Sequence, residues 1–137
     1  MLLFDNSAIK LSYDPSTDIL EADYPDLHGS RLSEVIFNLD KLVEAVSSYD
    51  IKLVLLNSST TAVSVGDAES RQVAAHLAAG LARTRVLRVA RVSSQDQSVE
   101  ETAQANMGHI RRSLRLPFEL KSFPSREEAV RWLRGEA

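Results

Sequence analysis

Apolar and polar residues alternate over Ile9, Leu11 and Tyr13, with Lys10 and Ser12 between them, the period of a strand with one buried face. Asp14-Pro15-Ser16-Thr17-Asp18 supplies turn residues, and Ile19 to Tyr24 returns as a second strand that Pro25 ends. Leu2 to Phe4 fits a further short strand, so the opening is a hairpin or a three-stranded meander. Beyond His28-Gly29-Ser30 the spacing changes to three and four. Leu32, Val35, Ile36, Leu39, Leu42, Val43 and Val46 form one stripe, a helix for which Ser30 is the expected cap. Ile51 to Leu56 is an almost unbroken apolar run, as expected of a strand covered on both faces. A second helix over 67–84 places Val73, Ala74, Leu77, Ala78 and Leu81 on one face; its six alanines favour helix, and Gly80 weakens its last turns. Arg85 to Val92 reads as the next strand. The capping box Ser98-Val-Glu-Glu101 opens a third helix with Val99, Ala103, Ile110 and Leu114 inward, and Pro117 stops it. Phe118 to Phe123 supplies a last strand, and Ser125-Arg-Glu-Glu128 opens a fourth helix containing Val130, Trp132 and Leu133.

Strand and helix alternating in this order predict one α/β domain over 1–137: a mixed, mostly parallel central sheet with an N-terminal β-hairpin or meander and about four helices. In open sheets of this kind ligands bind beyond the carboxyl ends of the parallel strands. That places attention on residues 57–66, 93–97 and 124–125.

Composition narrows the chemistry. The 44% hydrophobic and 26% charged content is that of an ordinary globular chain. No apolar run is long enough to cross a bilayer, and Asp5 interrupts the opening Met1-Leu2-Leu3-Phe4 too early for a signal peptide, which together predict a cytoplasmic protein. The absence of Cys excludes disulfides, thiolate catalysis and iron–sulfur clusters. Charge is polarised: residues 1–80 carry 5 basic and 12 acidic side chains (−7), residues 81–137 carry 11 and 7 (+4). The arginines are not interleaved with aromatic residues and the whole chain is acidic, so nucleic acid is not an expected partner.

The segment Asn57-Ser58-Ser59-Thr60-Thr61, with Ser64, Gly66 and Asp67 following, places hydroxyls and a glycine before a helix whose free amides can hold an anion. Asn57, Ser58, Ser59, Ser64, Gly66 and Asp67 are therefore the candidate ligand- or partner-binding residues, with Ser64 or Asp67 as the helix cap in the structural alternative. Arg88, Arg91 and Arg111 are candidate anion contacts. Neither GxGxxG nor GxxxxGK[ST] occurs, and His28, His76 and His109 fall in different elements without ligand spacing, so no cofactor and no metal is expected. Glu100-Glu101 and Glu127-Glu128 sit in first helical turns, where negative charge is favourable for structural reasons. GxSxG is missing, so no catalytic set is assigned.

Element order, Ser12-Tyr13-Asp14 before a turn, the long amphipathic helix, Lys52-Leu-Val-Leu-Leu-Asn57 and the strand at Val86 to Val92 together resemble the STAS-like group, which has the SpoIIAA-like fold. Antagonists of anti-sigma factors in that group carry Asp-Ser-Ser/Thr-Gly at the start of a helix, where the Ser is phosphorylated. Here the corresponding stretch is Ala62-Val-Ser-Val-Gly-Asp-Ala68, which keeps Ser64 and Gly66 but has Val63 where the Asp would stand. The resemblance implies a non-enzymatic regulatory or protein-interaction module, with Ser64 the phosphorylatable position; a homodimer is compatible with it. The alternative is a domain that binds a small molecule or anion (phosphate, nucleotide or lipid) at the loop after the strand from Ile51 to Leu56.

Overall fold

The computed structural model describes residues 1–5, 9–27 and 32–136. The expected cap Ser30 and the residues His28 and Gly29 lie outside them. Six strands and four helices follow in the order β1 (Leu2–Asp5), β2 (Lys10–Asp14), β3 (Ile19–Asp23), α1 (Leu32–Ser48), β4 (Leu53–Asn57), α2 (Asp67–Ala82), β5 (Arg88–Val92), α3 (Gln97–Ser113), β6 (Glu119–Phe123) and α4 (Arg126–Leu133). They form one six-stranded mixed sheet in the order β1-β2-β3-β4-β5-β6. The first three strands are antiparallel, and β3 to β6 are parallel. The opening is thus the meander, and its β2–β3 turn is closed by Asp18 N–H donating to Asp14 O at 2.9 Å, with Asp18 in the left-handed region at φ 60°.

Because every parallel strand lies beside its predecessor and right-handed crossovers share one hand, α1, α2 and α3 form one layer on one face. The period of two along each strand then sorts the core. Val54, Leu56 and Val89 point to the three-helix layer, where they meet Leu39, Leu42, Val73, Leu77 and Leu81. Leu55, Ala90 and Val92 point the other way and are covered by Ala129 and Leu133 of α4. The unbroken apolar run of β4 is explained by these two covers.

Several boundaries differ from the sequence expectation. The strand expected from Arg85 begins at Arg88, because Leu87 N–H and Arg88 N–H both donate to Lys52 O before the parallel ladder starts. The second helix ends at Ala82, where Arg83 and Thr84 N–H close tighter bonds to Gly80 O and Leu81 O. Its N-cap is Gly66, with neither Ser64 nor Asp67 capping by side chain. The third helix is capped by Asp96, whose carboxylate accepts from Ser98 and Val99 N–H, rather than by Ser98. Leu114 is the extended C-cap residue of that helix and is exposed, not inward. The fourth helix does start at Ser125, whose hydroxyl accepts from Glu128 N–H. No helix among the described residues is long and apolar enough to cross a membrane.

Candidate functional site

Residues 57–66 leave β4 at the carboxyl edge of the sheet, and most of their polar groups are already engaged. Ser58 is buried, and its hydroxyl donates to Val92 O at 2.6 Å, tying β4 to β5. Asn57 Oδ1 accepts from Ser59 N–H at 3.1 Å and from Ser59 Oγ at 2.7 Å. Thr61 Oγ1 donates to Tyr24 O, Ala62 N–H donates to Asp26 Oδ1, and Ser64 donates from both N–H and Oγ to Leu27 O. A bridge between Leu27 and Val63 completes a strap joining this loop to the end of β3. The hydroxyls that suggested an anion cradle therefore do structural work, while Gly66 and Asp67 stay exposed at the head of α2.

Beneath the strap lies a cavity of about 260 Å³ between α2, α3 and the inner face of β4 and β5. Its body is apolar: Leu56, Leu77, Leu81, Val89, Ile110 and Phe118. The space exists because the facing helix positions are small. Ala74 and Ala78 of α2 look across it toward Thr102 and Ala103 of α3, so the alanine face turns to the interior of the molecule. Of the predicted residues, Ser58, Asp67 and Arg91 line this cavity; Asn57, Ser59, Ser64 and Gly66 do not.

The three arginines do not converge. Arg91 is buried on the inner face of β5 and forms a bidentate pair with Glu100 of α3, Nη1 to Oε2 and Nη2 to Oε1 both at 2.8 Å. Glu100 also accepts from Ser94 N–H and Gln104 Nε2. Burial pushes the Glu100 carboxyl up, but the bonds from Arg91, Gln104 and Ser94 and the Arg91 charge outweigh it and hold the carboxyl at about 2. Arg88 points to the opposite face, where Nη1 donates to Trp132 O and the guanidinium lies over the indole, which meets the Phe123 ring at a tilt of 44°. Arg111, near the end of α3, donates to Leu120 O at the β6 edge. Among the described residues no group of three or more His, Asp or Glu could hold a metal ion.

Two polar residues of the wall, Tyr24 and Asn106, were not singled out from sequence. Tyr24 follows β3 and lines the cavity; burial pushes its phenol up to about 12, against a smaller opposing effect of Arg91. Asn106, 4% exposed, sits on the inward stripe of α3 between Ala103 and Ile110, and its amide donates to Ser70 Oγ of α2 at 3.1 Å. The signal was there for Asn106, a polar residue at a position where the helix period calls for an apolar one. Comparison with protein-family models, curated proteins and solved structures yields no match to this chain, so the cavity and its polar groups are what the functional reading stands on.

Proposed function

We propose that the protein binds a small, largely apolar molecule in the cavity between α2, α3 and the sheet. The observation that carries this reading is the cavity itself: a concave site of about 260 Å³, open to solvent on one side and lined mainly by Leu, Val, Ile and Phe side chains with a few polar groups, has the character of a small-molecule pocket. Its position beside the carboxyl ends of β4 and β5 is where open parallel sheets accept ligands. The engaged hydroxyls of residues 57–66 favour this reading over a phosphate cradle at the loop.

The regulatory-module reading comes second. In its favour, Thr60, Ala62, Ser64 and Gly66 are exposed on the strap above the cavity. Ala78→Leu separates the two, because it fills the cavity and leaves those residues in place. A thermal-shift titration with a panel of small apolar compounds should raise the melting temperature of the wild-type protein and leave Ala78→Leu unmoved. A flat wild-type response, or equal shifts in both proteins, would remove the ligand-binding reading.

A further inference from the structure

The polar groups in the wall define which apolar molecule fits. Among the described residues lining the cavity, Arg91 is the one cation, and both of its outer nitrogens are held by Glu100. Glu100 is itself fixed by Ser94 N–H at 2.8 Å and Gln104 Nε2 at 2.6 Å, so the pair presents no net charge and has little freedom to part. A carboxylate or phosphate entering the cavity would lose its hydration and find its natural partner already neutralised. Asp67, at the exposed head of α2, adds a negative charge to the lining, and the uncharged polar groups beside Arg91 include Thr102, Asn106 and Tyr24. Asn106 lines the cavity: its Nδ2 donates to Ser70 Oγ at 3.1 Å, and no group of the described residues donates to its Oδ1. The Tyr24 hydroxyl also lacks a side-chain or backbone partner. No buried side-chain nitrogen or oxygen among the described residues is left unpaired, so these groups keep contact with water, and a ligand hydroxyl or carbonyl can take that water's place.

Building on the binding reading above, we infer that the cavity selects uncharged ligands: an apolar body carrying one hydroxyl or carbonyl group, which pairs with Asn106 or Tyr24, while anionic analogues are rejected. Size follows from volume. A cavity of about 150 Å³ accepts benzene, so one of about 260 Å³ holds about ten non-hydrogen atoms.

Octanol, octane and octanoate form a matched probe set, titrated at neutral pH and followed by calorimetry and by amide NMR shifts of α2 and α3. Octanol should bind about tenfold more tightly than octanoate and several-fold more tightly than octane, the difference expected of one hydrogen bond that octane cannot replace and one unpaired buried charge. Asn106→Leu and, independently, Tyr24→Phe should lower octanol affinity and leave octane affinity unchanged or higher in at least one of the two. Glu100→Gln, which removes the charge that neutralises Arg91, should raise octanoate affinity about tenfold. Octanoate binding the wild-type protein as tightly as octanol would overturn the selection for uncharged ligands while leaving the binding reading intact; so would octanol affinity unmoved in both wall variants. Absence of binding by all three probes would sink the binding reading itself.

Discussion

At the scale of single residues, Gly80 shows how local cost and tertiary gain are balanced. A glycine in the last turn of α2 sacrifices up to about 1 kcal/mol of helix propensity relative to alanine. Yet a Cβ built there would stand 2.9 Å from Val43 Cγ2 of α1, closer than real contacts allow, and a β-branched side chain has few rotamers to escape into. Gly80 therefore lets α1 and α2 approach. Gly80→Ala should destabilise the protein by about 1 kcal/mol, the overpacking cost exceeding the propensity gain. In a Val43→Ala background the same change should stabilise it. Urea unfolding of the four proteins in this cycle measures the coupling, and additive effects would show that the two helices do not meet at these atoms. From the sequence Gly80 is visible only as a weak helix residue, because the atom that makes it necessary lies on a different element.

At the scale of elements, β5 and α3 are joined by one charged contact. Arg91 projects from the inner face of the strand into the first turn of the helix, where Glu100 accepts both of its outer nitrogens. The folded carboxyl lies near 2 against an ordinary 4.5, so its contribution is fully present above about pH 4.5 and is lost as the pH falls toward 2. Glu100→Gln should cost about 1–2 kcal/mol at neutral pH, a range reduced for partial solvent access, because it leaves Arg91 with a neutral partner. Thermal melts from neutral pH down to about 3 should show the gap between wild type and variant narrowing below about pH 4.5; a constant gap would mean that the pair does not titrate as a unit. Element type and order were legible because period two and the three-four spacing report burial directly, as in β4 and α1. The capping of α3 was only half legible: acidic and hydroxyl residues crowd residues 93–101, and the choice of Asp96 over Ser98 depends on where the chain leaves β5. Glu100 looked like a helix-start acid, and nothing in its sequence neighbourhood identifies an arginine nine residues earlier as its partner.

At the scale of the whole molecule, the sheet separates two cores of unequal size, and the proposed site belongs to one of them. The larger holds α1, α2 and α3 against the inner face, with the cavity inside it. The smaller is α4, eight residues long, packed through Ala129 and Leu133 on Leu55, Ala90 and Val92, with Arg126 fastened to Glu21 at the exposed end. This division also explains why the site was hidden in the sequence: its wall draws on Tyr24, Ala78, Arg91 and Asn106, which lie in four different segments and meet only when three crossovers stack the helices on one face. A short helix with a small buried face should open at lower free energy than the central strands. Amide hydrogen exchange should therefore show α4 exchanging faster than β4 and β5. Leu133→Ala, which removes one of its two fully buried anchors, should accelerate that exchange and cost about 2–3 kcal/mol. Bound octanol stabilises only states in which the cavity is intact, so it should slow exchange in α2 and α3 while leaving α4, which opens without disturbing the cavity, at its original rate. Equal slowing in all four helices would mean that α4 departs only when the whole sheet unfolds, and that the two cores behave as one cooperative unit.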